Sequence, residues 1–580
     1  MGIDFRAKTF ARFSVSRFLH WVMLMLAYGT VQAQTPPVPS AGQIYQTLPP
    51  VTVRPDLEAR TEDKTTKAKA ITDVEGMRLN VAGFQIVGMT VMTESDLTDA
   101  LAPFIGSDKR FQELLDAAAA VKQALAQRGY FLADVIVPEQ KIKNGIVTLQ
   151  VLEGRLGKVT LEVEPDVTIR RSLLESYVAG LNEGSLIQTS EVERTLFQIH
   201  DLRGVLARSS FVPGATPGTA DLIIVVSAAK TFEGNLDLDA NGSVYTGEYR
   251  LTAGIDGNNL LGQGDLISFR STNALDGDLR NFRLSLLSPL GPWGSKVGTS
   301  YTNLSYRLGT PTFDPLDASG SAYVASLYGI HPIIRSRNAN LLTIVQFDNR
   351  RFHDVQIATG SDTSKFIHVG LLGLSGDYRD TLGGGGINVF NVSYSRGKLK
   401  FGSPAQAAAD EANRQTGGWY GKANFSGSRL QALTDRTALF LAYGQQWGNK
   451  NYDASEQFSL GGPNSVRAYP VGEGAGDRGY LGTVELRYRL PYEEEIPGTM
   501  VVTAFNDFGR TTLINNPTPA DLAAQSPLSA RISGFGVGLN WEIPNQGYVR
   551  ASVSVRDTGD PTADHLGRNP KCYLLISKFF

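Results

Sequence analysis

The sequence predicts a transmembrane antiparallel β-barrel of about sixteen strands, preceded by two small α/β modules. Three observations carry this. From Phe232 to the C-terminus the chain is a succession of short segments in which apolar and polar residues alternate between turns. The N-terminus has the form of an export signal, and no later apolar run reaches the roughly eighteen residues of a spanning helix. The final segment, CYLLISKFF, ends on the aromatic Phe580. Alternation alone fits a soluble sandwich with the faces reversed; the export signal and the last strand decide for the membrane.

Composition narrows the function classes. The 580 residues are 42% hydrophobic and only 19% charged, room enough for several domains or one large barrel with attachments. A formal net charge of -2 offers no basic footprint for nucleic acid. The single cysteine, Cys572, excludes an intramolecular disulfide and a cysteine-rich metal site. The six histidines are scattered with no HExxH spacing, so no metal, cofactor or catalytic residue is expected. Gly474, Gly476 and Gly479 match G-x-G-x-x-G, yet they precede a strand instead of opening a helix after one, which argues against a dinucleotide site.

In chain order, residues 1–33 are the signal: Arg6, Lys8, Arg12 and Arg17, an apolar core from Phe18 to Tyr28, then a small-residue cleavage site at Val31-Gln32-Ala33. Residues 34–80, proline-rich and then charged, read as a linker with one helix after Pro55. A first module occupies 81–154. It runs from a strand at Phe84 through a helix opened by Thr93-Glu94-Ser95-Asp96 to a helix over Phe111–Arg128 stopped by Gly129, and ends in two strands. Residues 155–230 repeat that order, with helices over Ile169–Ala179 and from Ser190 to about Asp201.

The stretch Gly129–Gly154, GYFLADVIVPEQKIKNGIVTLQVLEG, resembles the end of a POTRA domain from the outer-membrane transporters of two-partner secretion, in the Omp85 superfamily. The GY, the VPxQ and the VxEG fall in that family's order. The resemblance implies two periplasmic POTRA domains ahead of an outer-membrane barrel over residues 231–580.

Strand starts are expected near 232, 247, 264, 278, 295, 320, 338, 364, 386, 415, 436, 479, 499, 530, 547 and 571. Short turns (NNLLGQG, SPLGPWG, PYEEEIPG, IPNQG) separate even from odd strands. Long loops (401–418, 448–479, 510–529) separate odd from even. With the modules in the periplasm, the short turns are periplasmic and the long loops extracellular, as such barrels prefer. Glu493-Glu494-Glu495 reads as a solvated turn. The terminal Phe580 resembles the insertion signal of outer-membrane barrels, read by the barrel-assembly machinery during biogenesis; Lys578 departs from the apolar register and can snorkel at the rim.

The loop over 448–479 carries the candidate site. Val466, Arg467, Ala468 and Tyr469 resemble the VRGY loop tip of these transporters, and Phe505, Asp507 and Gly509 resemble the F-x-D-x-G motif of the barrel wall. The resemblance implies that Arg467 docks on Asp507 inside the lumen, where a charge-assisted contact offsets part of the entropy of folding the loop inward. Ala468 stands where the family has glycine; a positive φ there would strain it. By the same resemblance the chain recognises an unfolded partner exoprotein of hemolysin, hemagglutinin or adhesin type and translocates it across the outer membrane, among whose lipids it sits. A helix from residues 34–80 plugs the pore in some relatives. An insertase of the same superfamily and a diffusion porin with soluble appendages are the alternatives.

Overall fold

The computed structural model describes residues 38–48, 60–63, 78–491, 497–523, 525, 527–564 and 566–580. The export signal, the segment after Pro55 expected to be helical and the Glu493–Glu495 turn lie outside the described residues.

The first described element is a six-residue helix, α1 (Ala41–Gln46), started by a capping box in which Ser40 and Gln43 satisfy each other's backbone N–H groups. A short strand, β1 (Arg60–Asp63), follows, and then the first module. Its elements are β2 (Arg78–Val81), β3 (Gly83–Val87), α2 (Thr98–Leu101), β4 (Gly106–Arg110), α3 (Phe111–Gln127), β5 (Asp134–Ile136) and β6 (Ile146–Leu152). Helix α3 buries Leu114, Ala117, Ala118, Val121 and Leu125 against the sheet β3-β6-β5, and Gly129 leaves it at φ 94°. The two-stranded sheet β2-β4 has no counterpart in the sequence reading, because GSDKR carries no apolar alternation.

The second module comprises β7 (Arg155–Val163), α4 (Arg171–Val178), α5 (Thr189–His200), β8 (Val205–Pro213) and β9 (Thr219–Ala228). Its sheet runs β1-β8-β9-β7, so the strand from the linker is added in parallel to the outer edge of β8, Arg60 opposite Arg208 and Asp63 opposite Phe211.

Sixteen strands then close a barrel: β10 (Phe232–Asp239), β11 (Arg250–Asn258), β12 (Leu266–Ala274), β13 (Leu279–Pro289), β14 (Lys296–Arg307), β15 (Ala318–Arg335), β16 (Ala339–Gln356) and β17 (Ser361–Asp380) form one half. The other half is β18 (Gly386–Phe401), β19 (Gly418–Ala432), β20 (Thr437–Gly448), β21 (Arg478–Arg489), β22 (Thr499–Thr512), β23 (Ser529–Ile543), β24 (Gly547–Arg556) and β25 (Lys571–Phe579). Every neighbour is antiparallel. Each strand begins within three residues of its expected start. Tyr480, Val484, Leu486 and Tyr488 of β21 are exposed on the outside while Glu485 is buried inside, the orientation of a barrel in lipid. The seam joins β10 to β25 over Asn235–Asp239 and Leu575–Phe579, and Phe580 extends it by exchanging backbone hydrogen bonds with Gly234.

The second module is fastened to the near mouth of the barrel. Arg335, at the end of β15, gives Asp201 two hydrogen bonds of 2.8 and 2.9 Å, and its guanidinium lies 4.6 Å from the Phe197 ring. Lys296 donates to the Asp201 carbonyl at 2.8 Å, and Gln198 to that of Trp293 at 3.2 Å. Strand ends on this side join by short turns, and the long loops lie at the far end.

Candidate functional site

The lumen is occupied by two pieces of the chain itself. One is α1. The backbone N–H of Ala41 donates to Asp354 Oδ1 at 2.7 Å, and the Tyr306 hydroxyl meets the same oxygen at 2.7 Å. A carboxylate facing a first-turn N–H satisfies one of the donors a helix start leaves free. Ile44 is buried, Tyr45 meets Phe352 edge-on, and a Cβ at Gly42 would stand 2.7 Å from that of Ser455. Only glycine lets the helix lie this close to the second piece.

That piece is the loop between β20 and β21. It folds inward and is held at three levels. At its foot, Asp453 pairs with Lys365 at 2.7 Å, and Glu456 with Arg350 at 2.7 Å and Lys422 at 2.9 Å. At its return, Asp477 accepts from the backbone of Tyr452 and Asn515 at 2.9 and 2.8 Å. Between these, Phe458 and Gly476 pair as a backbone bridge.

The tip is the third level, and here Arg467 and Asp507 meet. The Arg467 backbone N–H and Nε both donate to Asp507 Oδ2, at 3.1 and 2.8 Å, and Nη2 donates to Oδ1 at 2.9 Å. The fourth contact runs from Nη1 to Glu485 Oε2 at 2.7 Å, and Arg487 balances the second carboxylate at 2.8 Å. The guanidinium lies over the Phe505 ring, 3.3 Å from its centre. Two arginines and two carboxylates thus make a neutral cluster, in which Asp507 is 1% and Glu485 4% exposed. A planar fork reaching two separate carboxylates is a task that lysine cannot perform.

Around that ion cluster, Leu460, Val466, Ala468 and Tyr469 pack on Ile532. The Tyr469 hydroxyl binds the Thr558 carbonyl, and Tyr573 donates to the Tyr469 carbonyl at 2.7 Å. Glu473 accepts from Thr562 and Ala563 N–H groups at 2.8 Å each, clipping the loop to the last loop of the barrel; burial pushes its carboxyl above the usual range. Two glycines make room. A Cβ at Gly509 would stand 2.6 Å from Leu460, and one at Gly534 only 2.3 Å from the Ala468 methyl. Ala468 does not adopt a positive φ, so the strain considered for it is absent; its methyl fills the space that Gly534 leaves.

Val466, Arg467, Ala468, Tyr469, Phe505, Asp507 and Gly509 therefore converge at one place on the inner wall. Phe580 lies apart, at the seam. The motifs did not point to Glu485, Glu473 or Tyr573, though Glu485 was legible as the carboxylate on the polar side of YLGTVELRYRL. Among the described residues no cluster of histidine, cysteine or carboxylates fits a metal ion.

Comparison with known proteins places this geometry. Residues 218–541 match the haemolysin secretion/activation proteins ShlB/FhaC/HecB, and residues 79–154 match the ShlB-type POTRA domain. The heme/hemopexin transporter protein HuxB of Haemophilus influenzae strain 86-028NP is 26% identical over 489 residues, covering 83% of this chain and 84% of its own. The outer membrane transporter CdiB of Dickeya dadantii is 25% identical over 451 residues, covering 76% and 78%. Among solved structures, CdiB from Escherichia coli superposes with a TM-score of 0.65 at 20% identity, over 89% of this chain and 93% of that one. BamA from Haemophilus ducreyi lacking POTRA domains 1–3 gives 0.51 at 15% identity, over 86% and 100%, a likeness of fold alone. The chain belongs to the haemolysin secretion/activation family ShlB/FhaC/HecB, outer-membrane β-barrel transporters of two-partner secretion whose POTRA domains face the periplasm.

Proposed function

We propose that this protein takes an unfolded partner exoprotein from the periplasm and passes it through its own barrel to the cell surface. The observation that carries the reading is the content of the lumen: α1 and the loop tip fill it, joined to the wall by ion pairs and hydrogen bonds as well as by the buried apolar contacts of Ile44 and Tyr469. The polar share of those contacts can be exchanged for water as the elements leave. In this reading residues 34–80 carry the plug, 81–154 and 155–230 are the two POTRA domains, and 231–580 is the conduit, after a signal over 1–33. The partner's extended segments add to POTRA sheet edges. Docking of Arg467 on Asp507 and Glu485 is the closed state of the loop, and folding of the cargo outside draws it through.

Phe580, exchanging backbone bonds with Gly234, serves as the terminal signal through which the barrel-assembly machinery inserts the protein among the membrane lipids. A lumen filled by the chain's own elements speaks against a diffusion porin. Co-expression with a candidate exported partner of this family tests the reading. The partner should reach the medium only when this protein is present, with other outer-membrane proteins at normal levels. A general fall in those proteins with the partner's export untouched would point to an insertase instead.

A further inference from the structure

The outer wall of the barrel carries a second feature that the transport reading does not use. Register fixes which residues share a row across adjacent strands. Near the extracellular end of β15–β19 one outward row is Tyr323, Arg351, Phe366, Lys400. The next row toward the membrane is Ala325, Asn349, His368, Lys398, Trp419, and the one after it Leu327, Phe347, Gly370, Arg396, Gly421. Four permanent cations thus stand on β16 and β18, on either side of β17, with no carboxylate in any of the three rows. The row below them, Gly329, Val345, Leu372, Tyr394, Ala423, is wholly without charge and belongs to the apolar belt.

Among the described residues, none of Arg351, Arg396, Lys398 and Lys400 has a carboxylate within ion-pair distance. Elsewhere on the outward face the balance is different: Arg429, at the periplasmic rim, is paired with Asp380 at 2.6 Å. The cations are also ordered by rings. Arg396 and Lys398 lie 5.4 and 5.5 Å from the Trp419 ring centre, and Arg351 lies 5.9 Å from that of Phe366. Beside them the wall has a hollow of about 470 Å³ lined by Tyr301, Tyr323, Arg351, His353 and Phe366. Like charges held together on a low-dielectric surface need a counter-anion. At this height that anion must belong to the outer leaflet, because bulk water begins above the rows and the acyl belt below.

We propose that this patch binds the phosphate groups of the outer leaflet's phosphorylated glycolipid. The cations take the phosphates, Tyr301, Tyr323 and Trp419 lie along the sugar and acyl-chain boundary, and the apolar row receives the chains. The lipid then fixes β15–β19, the strands whose inner faces seat α1 and the loop foot through Asp354 and Lys365.

The test uses the full-length protein purified in detergent, with bound lipid counted by native mass spectrometry. The probes are bisphosphoryl lipid A, monophosphoryl lipid A, phosphatidylglycerol and inorganic phosphate. Bisphosphoryl lipid A should bind best, and Arg396→Gln/Lys398→Gln/Lys400→Gln should weaken it about a hundredfold while the barrel stays heat-modifiable. A charge-keeping Lys398→Arg/Lys400→Arg protein should bind as the parent does, and Arg351→Gln alone should weaken binding less than the triple change. Equal retention by parent and triple variant would overturn the proposal. So would phosphatidylglycerol or inorganic phosphate competing as well as bisphosphoryl lipid A, since the patch would then select charge without selecting a lipid.

Discussion

Replacing Arg467 by alanine removes three side-chain hydrogen bonds, at 2.8 and 2.9 Å to Asp507 and 2.7 Å to Glu485, and keeps the backbone N–H bond to Asp507 at 3.1 Å. It also leaves Asp507, 1% exposed, with only Thr483 and that backbone N–H as donors. Breaking a buried pair by deleting one partner costs about 3–5 kcal/mol, because the remaining charge is left without compensation. The tip's other anchors, through Tyr469 and Glu473, contribute about 1–3 kcal/mol each. The loss is at least as large as either of these, and the ratio of docked to released tip should fall by two to three orders of magnitude, at about 1.4 kcal/mol per decade. The β-ladder does not involve Arg467, so the barrel should still insert and remain heat-modifiable. Export of the partner into the medium should collapse, and protease added outside the cell should reach the loop. Adding Asp507→Asn to Arg467→Ala removes the stranded charge and should recover part of the thermal stability without recovering export. Arg467→Lys should be intermediate, since an ammonium cannot reach both carboxylates. Normal export by Arg467→Ala would refute the assigned role of the cluster.

Gly509→Val drives a branched side chain into Leu460, where even a Cβ stands 2.6 Å away; overpacking of this kind costs about 1–3 kcal/mol, and the tip should become protease-accessible with the barrel intact. Deleting Ser40–Leu48 should raise the single-channel conductance in planar bilayers, and unchanged conductance would mean that α1 does not obstruct the pore. In a Cys572→Ser background, cysteines at Thr61 and Ser209, opposite each other in β1 and β8, should block export when oxidised and restore it on reduction. In the first POTRA domain, hydrogen bonds from Thr93 and then Arg128 hold the Asp96 carboxyl down to about 2 from 3.8. Its contribution is present above pH 3.8 and lost as pH falls through 2, so chemical denaturation should show that domain weakening over this window; Asp96→Asn should flatten the dependence.

Much of the barrel could be read from the residues because period-two alternation survives on a wall with one face in lipid: β21 shows it unbroken from Thr483 to Arg489. Turn lengths supplied the orientation. What escaped the reading has physical reasons. The two-stranded sheet β2-β4 has a polar, exposed strand with no pattern to detect. The cap of α1 rests on Ser40 and Gln43 in a stretch where prolines dominate. Site residues that came from motifs, Arg467 and Asp507, were placed together, yet the sockets for the loop foot were not. Lys365, Arg350 and Lys422 each lie far along the chain from Asp453 and Glu456, and only closure of the barrel brings them round.

Strand β1 has a consequence for timing. The outer edge of the second module's sheet is already taken by β1, which follows α1 in the chain. A newcomer that displaces β1 lengthens the interval between α1 and the next anchored strand from Gln46–Arg60 to Gln46–Arg78. On the function proposed above, eviction below slackens the stopper above, and the doorway opens for a guest already on the step.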